Sequence, residues 1–215
     1  EFILLQGRGC VWKKCTFCDY HTDTSINPYT INRPILQQVT GRYGVLDIIN
    51  SGSAPELDTQ TIEHIKQIVK EKNIHTIWFE AHYLYRNKLK EFAQQFYPSQ
   101  VKFRCGVESF NAPLRQQWNK GIPSHITPAD IAKYFNGVCL LCCTTNDTKE
   151  RILNDIALAD KYFEYASINL FCNTATAEQR NQALAAWFIA EVYPILKDNP
   201  KFEVLLNNTD LGVGL

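Results

Sequence analysis

The chain has 215 residues, with 22 Lys and Arg against 22 Asp and Glu, and so carries no formal net charge. A hydrophobic share of 45% and an aromatic share of 12% belong to a folded chain with a core and exclude a disordered or fibrous one. Balanced charge argues against bulk binding of a phosphate backbone, no apolar run approaches the roughly 18–20 residues that span a bilayer, and no signal-peptide pattern opens the sequence. Seven short apolar runs follow in chain order: Phe2–Leu5, Val45–Ile49, Thr76–Phe79, Val101–Arg104, Val138–Leu141, Ser167–Phe171 and Phe202–Leu206. Each has the length of a buried strand, and several hold β-branched or aromatic residues. Between them the spacing turns helical. Pro34 opens a helix through Val39, and Thr59–Glu71 lines up Ile62, Ile65, Ile68 and Val69, with Thr59 or Thr61 as cap. Asn87–Phe96, Thr148–Phe163 and Glu178–Leu196 are the other helical stretches, the last being the longest.

Strand alternating with helix predicts βαβ units on a parallel sheet. No linker or low-complexity segment interrupts the pattern, so residues 1–215 read as one domain. The fold class is α/β, with about six βα units. That is too few for a closed eight-unit barrel of about 250 residues, and predicts a partial barrel or a strongly curved open sheet. In such folds the chemistry sits at the C-terminal ends of the strands.

Eight cysteines stand at 10, 15, 18, 105, 139, 142, 143 and 172. With no secretion signal beside them they read as reduced thiols of a cytoplasmic protein. Cys139, Cys142 and Cys143 suit a core. Cys10, Cys15 and Cys18 do not, because Lys13, Lys14 and Asp19 make their loop polar. Three thiols within nine residues, directly after the first strand, can wrap one corner of a four-iron cube and leave the fourth iron open. The same thiols with His21 could instead make a Cys3His zinc site in a non-enzymatic module.

The loop resembles that of the radical S-adenosylmethionine (SAM) superfamily, with four and then two residues between the cysteines and an aromatic, Phe17, before the third. The resemblance implies a partial (β/α)6 barrel in which Cys10, Cys15 and Cys18 hold a [4Fe–4S] cluster. Its open iron would bind SAM, and reduction would give a 5′-deoxyadenosyl radical. It further implies cofactor contacts from Phe17 at the adenine and from Asn50, Ser51, Gly52 and Ser53 at the amino group. In the last segment only Gly52 matches the Gly-Gly-Glu type turn of the superfamily, and a plain strand-to-helix turn is the other reading. Cys105–Asn111 looks like the Gly-Val-Glu-Ser-Phe segment of several branches, which would set Glu108 or Ser109 on the ribose. Arg115 would then meet the cofactor carboxylate or lie on a solvated helix.

The run Cys10–His21, with Gly106–Asn111, Gly137–Thr144 and the tail Thr209–Gly214, is similar to the compact bacterial queuosine-salvage lyases of that superfamily. These release queuine from queuosine 5′-phosphate. The implied substrate is a small modified nucleotide, with a flavodoxin or ferredoxin as electron donor and no nucleic-acid or membrane partner. Another small molecule, in ring formation or as the target of an activase, is the alternative within the superfamily. Glu80, His82, Tyr83, Asn169, Asn173 and Asp210 form the polar set expected to meet substrate. Glu80 could equally pair with Arg104 or Arg86. Lys120, Lys149, Arg151 and Arg180 are all open as phosphate partners, and no residue is assigned as catalytic.

Overall fold

The computed structural model describes residues 1–207, so Asp210 and the tail from Thr209 lie outside the described residues. Seven strands are ordered along the sheet as they are along the chain, which is what repeated βα crossovers of one hand produce. Two compact units divide the chain: Glu1–Lys13 with Asp19–Arg104, and Lys14–Cys18 with Cys105 onward.

The first unit carries β1 (Phe2–Leu5), α1 (Pro28–Leu36), β2 (Val45–Asn50), α2 (Thr59–Glu71), β3 (Thr76–Ala81), α3 (Leu89–Gln94) and the opening half of β4 (Gln100–Glu108). β1, β2 and β3 pair in parallel, with Leu5 opposite Asn50. Burial alternates along β2 and β3. Leu46, Ile48, Ile77 and Phe79 are fully buried, and Phe79 meets Phe92 and Phe96 with ring centroids 5.3 Å away. That aromatic cluster and the Ile65–Ile68–Val69 stripe of α2 form the core of this unit.

The second unit carries the rest of β4, then α4 (Ala112–Gln117), α5 (Pro128–Ala132), β5 (Gly137–Cys142), α6 (Lys149–Tyr162), β6 (Tyr165–Leu170), α7 (Gln182–Trp187), a π turn (Phe188–Val192), α8 (Tyr193–Leu196) and β7 (Phe202–Leu205). β5, β6 and β7 pair in parallel, with Leu141 opposite Asn169. Among the described residues no helix is long and apolar enough to cross a membrane.

All seven predicted strands form, most of them within two residues of their expected ends, though β4 runs on to Glu108. The helices need three corrections. The first begins at Pro28, not Pro34, because Pro28 takes the opening turn where a missing N–H costs nothing; Pro34 falls inside the last turns. The second is capped by Asp58, which accepts from Thr61 N at 3.0 Å and from Thr61 Oγ1 at 2.6 Å. The long helix expected from Glu178 starts only at Asn181, whose side chain caps Leu184 N. It then widens into the π turn before Pro194, which has no N–H to give back to the preceding turn.

Candidate functional site

Three strand ends of the first unit carry candidate residues. Leaving β1, the chain reaches Gly9 at φ +89, where a Cβ would stand 2.6 Å from Thr24 Cγ2 and 3.1 Å from His21 O. Only glycine fits there, and it turns the chain into Cys10. After β2, Ser51 Oγ accepts from Gly7 N at 2.9 Å, tying the two strand ends together. Ser53 and Glu56 form a capping box, with Ser53 N on Glu56 Oε2 at 3.1 Å. Gly52 lies against both Glu56 and the Cys10 backbone; a Cβ would collide with Glu56 Oε2 and come within 3.5 Å of Cys10 Cα. Asn50 is buried and gives its amide N–H to Ser53 O at 3.4 Å, but its Oδ1 has no partner among the described residues.

β3 delivers Glu80, half-buried and engaged, and then His82. His82 is buried and stacks on Trp12 with centroids 5.3 Å apart and planes at 20°. Its Nδ1 accepts from Leu84 N at 3.1 Å, which leaves the proton of the neutral ring on Nε2. Its backbone N donates to Ser53 Oγ at 3.0 Å. Tyr83 is buried beneath Arg86, whose guanidinium stands 4.6 Å over the ring, and Arg104 pairs with Asp47. Burial and the Glu56 carboxylate push the nearby Tyr85 phenol above its usual value.

In the second unit, Phe17 packs edge-on against Trp118 at 5.4 Å, within a cluster completed by Leu114 and Phe171. Cys15 and Cys18 lie against this cluster, and Thr16 N donates to Trp118 O at 3.1 Å. Glu108 ends β4 in a left-handed conformation, φ +63, and takes Lys120 Nζ at 2.8 Å. That ammonium also stands 5.8 Å over the Phe17 ring. Burial pulls the Lys120 pKa down, but Glu108 and Cys15 outweigh it and hold the group above the usual lysine value.

The next residues belong to a buried network. Ser109 Oγ donates to Asp155 Oδ2 at 2.7 Å and accepts from Asn111 N at 3.0 Å. Asp155 also takes Phe110 N and Arg151, at 3.0 and 2.7 Å. Arg115 is 1% exposed and donates to Ser109 O and Ile126 O at 3.1 and 3.2 Å, so it is not the solvated helix residue of the alternative reading. Burial raises the Asp155 pKa in spite of these hydrogen bonds.

Asn169 shares the sheet face of Leu141, the residue that packs on the Phe17–Trp118 cluster. Its Oδ1 is buried without a partner among the described residues. Asn173 is exposed and caps Arg180 N at 2.8 Å. Cys139, Cys142 and Cys143 are buried, as expected of core thiols.

Sequence reasoning missed Trp12 as the platform for His82 and Asp155 as the anchor of the β4 end. The second had a signal, since Asp147, just ahead of α6, and Arg151 and Asp155 within it recur every four residues.

All eight cysteines are free thiols, and Cys10, Cys15 and Cys18 are half-exposed. Among the described residues, no three His, Cys, Asp or Glu side chains form a single-ion site. A four-iron cube makes a different demand, one thiolate on each of three irons, and the three loop thiols supply that donor set. The unmatched Asn50 Oδ1 acceptor fits the amino group of a bound SAM.

No protein-family model matches the chain, and no curated protein sequence does. Among solved structures, a queuine lyase from Clostridium spiroforme bound to SAM and queuine is similar over 100% of this chain and 94% of that one, at 39% identity and a TM-score of 0.93.

Proposed function

The chain belongs to the queuine lyase family of radical SAM enzymes, and on that premise we propose that it is a lyase that frees queuine from queuosine 5′-phosphate. The observation that carries this reading is the full-length match, at 39% identity and a TM-score of 0.93, to a queuine lyase bound to SAM and queuine. Its fold is accordingly the α/β partial barrel of the radical SAM type, with a seventh strand closing the series of six βα units. The match favours neither a Cys3His zinc module nor a radical enzyme acting on another small molecule.

Cys10, Cys15 and Cys18 would hold a [4Fe–4S] cluster, which with SAM would supply the radical chemistry that takes a hydrogen atom from the substrate ribose. The residues around it orient the reactants. Asn50 Oδ1 accepts from the SAM amino group, which answers its unmet hydrogen bond, and Gly52, flanked by Ser51 and Ser53, leaves room for the Glu56 carboxylate that orders the turn around it. Phe17 offers an apolar wall to the adenine. Glu108, fixed by Lys120, keeps a carboxylate oxygen for the ribose hydroxyls. Ser109 and Arg115 act one step removed, by holding the β4 end that presents Glu108. On the substrate side, His82 presents Nε2–H from its Trp12 platform, with Tyr83 and Glu80 beside it in sequence. Asn169 Oδ1 accepts from the N–H edge of the deazaguanine. The electron comes from a flavodoxin or ferredoxin in the cytoplasm, and no nucleic acid takes part.

The test is anaerobic incubation of reconstituted protein with dithionite, SAM and queuosine 5′-phosphate. Free queuine and 5′-deoxyadenosine are expected. Cleavage of SAM with the nucleotide left intact overturns the proposal.

A further inference from the structure

Four cations were open as phosphate partners in the sequence, and the structure separates them. Lys120 is buried against Glu108 at 2.8 Å. Arg151 lies between Asp147 and Asp155, and Lys149 stands 4.8 Å over the Trp187 ring at the start of α6. Arg180 alone of the four meets neither a carboxylate nor a ring among the described residues. Its Nη1 donates to Leu206 O at 3.3 Å and to Cys172 Sγ at 3.7 Å, and its buried Nε has no acceptor among the described residues.

The backbone around Arg180 is firmly fixed. Arg180 pairs with Thr144 in an antiparallel bridge, flanked by hydrogen bonds from Thr145 N to Gln179 O at 2.9 Å and from Asn181 N to Cys143 O at 2.7 Å. Residues opposed in such a pair project to the same side. Thr144 Oγ1 is itself fully buried and without a partner among the described residues. Two unmatched polar groups therefore stand side by side, one of them cationic, in the segments that follow β5 and β6. Strand ends of this kind carry the chemistry in α/β folds. The one acid of the loop, Glu178, is turned to other work, with its oxygens on Trp118 Nε1 at 3.0 Å and Thr145 N at 3.3 Å. Asp147 Oδ2 accepts from Thr144 N at 3.1 Å, but Asp147 is paired with Arg151, and among the described residues no carboxylate pairs with Arg180. A planar cation with an unmatched N–H beside a hydroxyl suits an oxyanion.

We propose that Arg180 and the Thr144 hydroxyl form an anion subsite that takes the phosphate monoester of the substrate nucleotide. The assignment rests on the nucleotide reading above and adds the group that tells nucleotide from nucleoside. The carboxylate of SAM is the other oxyanion that such chemistry could hold, and the test separates the two.

The measurement is calorimetric titration of the cluster-reconstituted protein, with SAM present and no reductant, using queuosine 5′-phosphate and queuosine in turn. The wild-type chain is expected to bind the phosphorylated form about ten- to a hundredfold more tightly, as a charge-assisted contact warrants. Arg180→Gln should bring the two ligands to within about threefold of each other while leaving affinity for queuosine and for SAM in place. Thr144→Val should remove a smaller part of the preference. Should Arg180→Gln not fold, Arg180→Lys is read instead: it keeps a charge but loses the planar fork, and is expected to lower the preference. The proposal is overturned if the wild-type chain does not distinguish the ligands, or if the preference survives whole in the folded Arg180 variant. A loss of SAM affinity in place of phosphate preference also overturns it. Because no turnover is read, Arg180-dependent phosphate preference in a protein that frees no queuine would refute the lyase reading and leave the subsite standing.

Discussion

The turn after β2 and the turn after β4 carry equally polar sequences and use them differently. Between Asn50 and Glu56, a buried acceptor, Asn50 Oδ1, goes unmatched among the described residues, and the backbone at Gly52 is bare of side chain. Between Glu108 and Arg115, most of the polar groups are answered from within: Glu108 by Lys120, Ser109 by Asp155 and Asn111 N, Arg115 by Ser109 O and Ile126 O, with only Arg115 Nε left over among the described residues. A buried polar atom left unpaired costs about 1–3 kcal/mol. A chain that keeps one at a strand end gains nothing in stability from it, which is the ground for the proposal that this end receives a ligand. The network at the other end marks a support.

The largest effect is expected from removing a thiolate. Cys10→Ala, Cys15→Ala or Cys18→Ala should each abolish the broad absorption near about 400 nm and all turnover, because two thiolates cannot anchor a cube and leave one chosen iron open. A brown, active Cys18→Ala protein would break the assignment of the loop. Next comes the supporting network. Asp155→Ala takes from Arg151 one of its two carboxylates and leaves Ser109 Oγ and Phe110 N without their acceptor, and should cost about 1–3 kcal/mol, read as a lower denaturant midpoint. Iron content of the protein that remains folded should change little, and SAM affinity should fall only modestly, since the network supports Glu108 and does not itself meet the cofactor. If SAM affinity is lost while stability holds, Ser109 or Arg115 itself binds the ligand and the reading of this network as a support fails.

Gly52→Ala probes the receiving turn with a smaller expected loss. The new methyl group displaces Glu56 from its capping box, which should cost about 1 kcal/mol. It also presses on the Cys10 backbone and on the turn that holds Asn50, so SAM should bind about tenfold more weakly, as calorimetry would show. An unchanged SAM affinity with the same loss of stability would make this a plain strand-to-helix turn.

The strands were legible because each is a short apolar run bounded by polar residues, and a run such as Val138–Leu141 has little choice but to be buried. The cysteine loop was legible because its chemistry is local, with three thiols close together in sequence. Neither the Arg115 contacts nor the Trp12–His82 stack could be read in the same way, since each joins segments separated by loops whose path depends on packing. Helix ends failed where one proline competed with another, as at Pro28 and Pro34, or where a polar loop kept helical spacing, as from Glu178 to Arg180. The ranking of the four cations needed their partners, and those are set by tertiary structure alone.

The smallest effect is expected at the end of β5. Cys142 and Cys143 are both buried, with sulfurs 3.9 Å apart and Cys143 at φ +64. Burial and the neighbouring Cys143 push the Cys142 thiol well above its ordinary value, with Arg151 and Arg180 pulling the other way. A thiol whose pKa is raised on folding holds its proton longer in the native state. It therefore weakens stability only as pH climbs past the unfolded thiol value of about 8.5, and has no effect below it. Cys142→Ala should keep colour and turnover, change stability at neutral pH by about 1 kcal/mol or less, and flatten the alkaline decline in the denaturant midpoint. A Cys142→Ala protein that loses its iron would move this thiol pair out of the core and into the metal chemistry, beside the Thr144 hydroxyl assigned above to the phosphate.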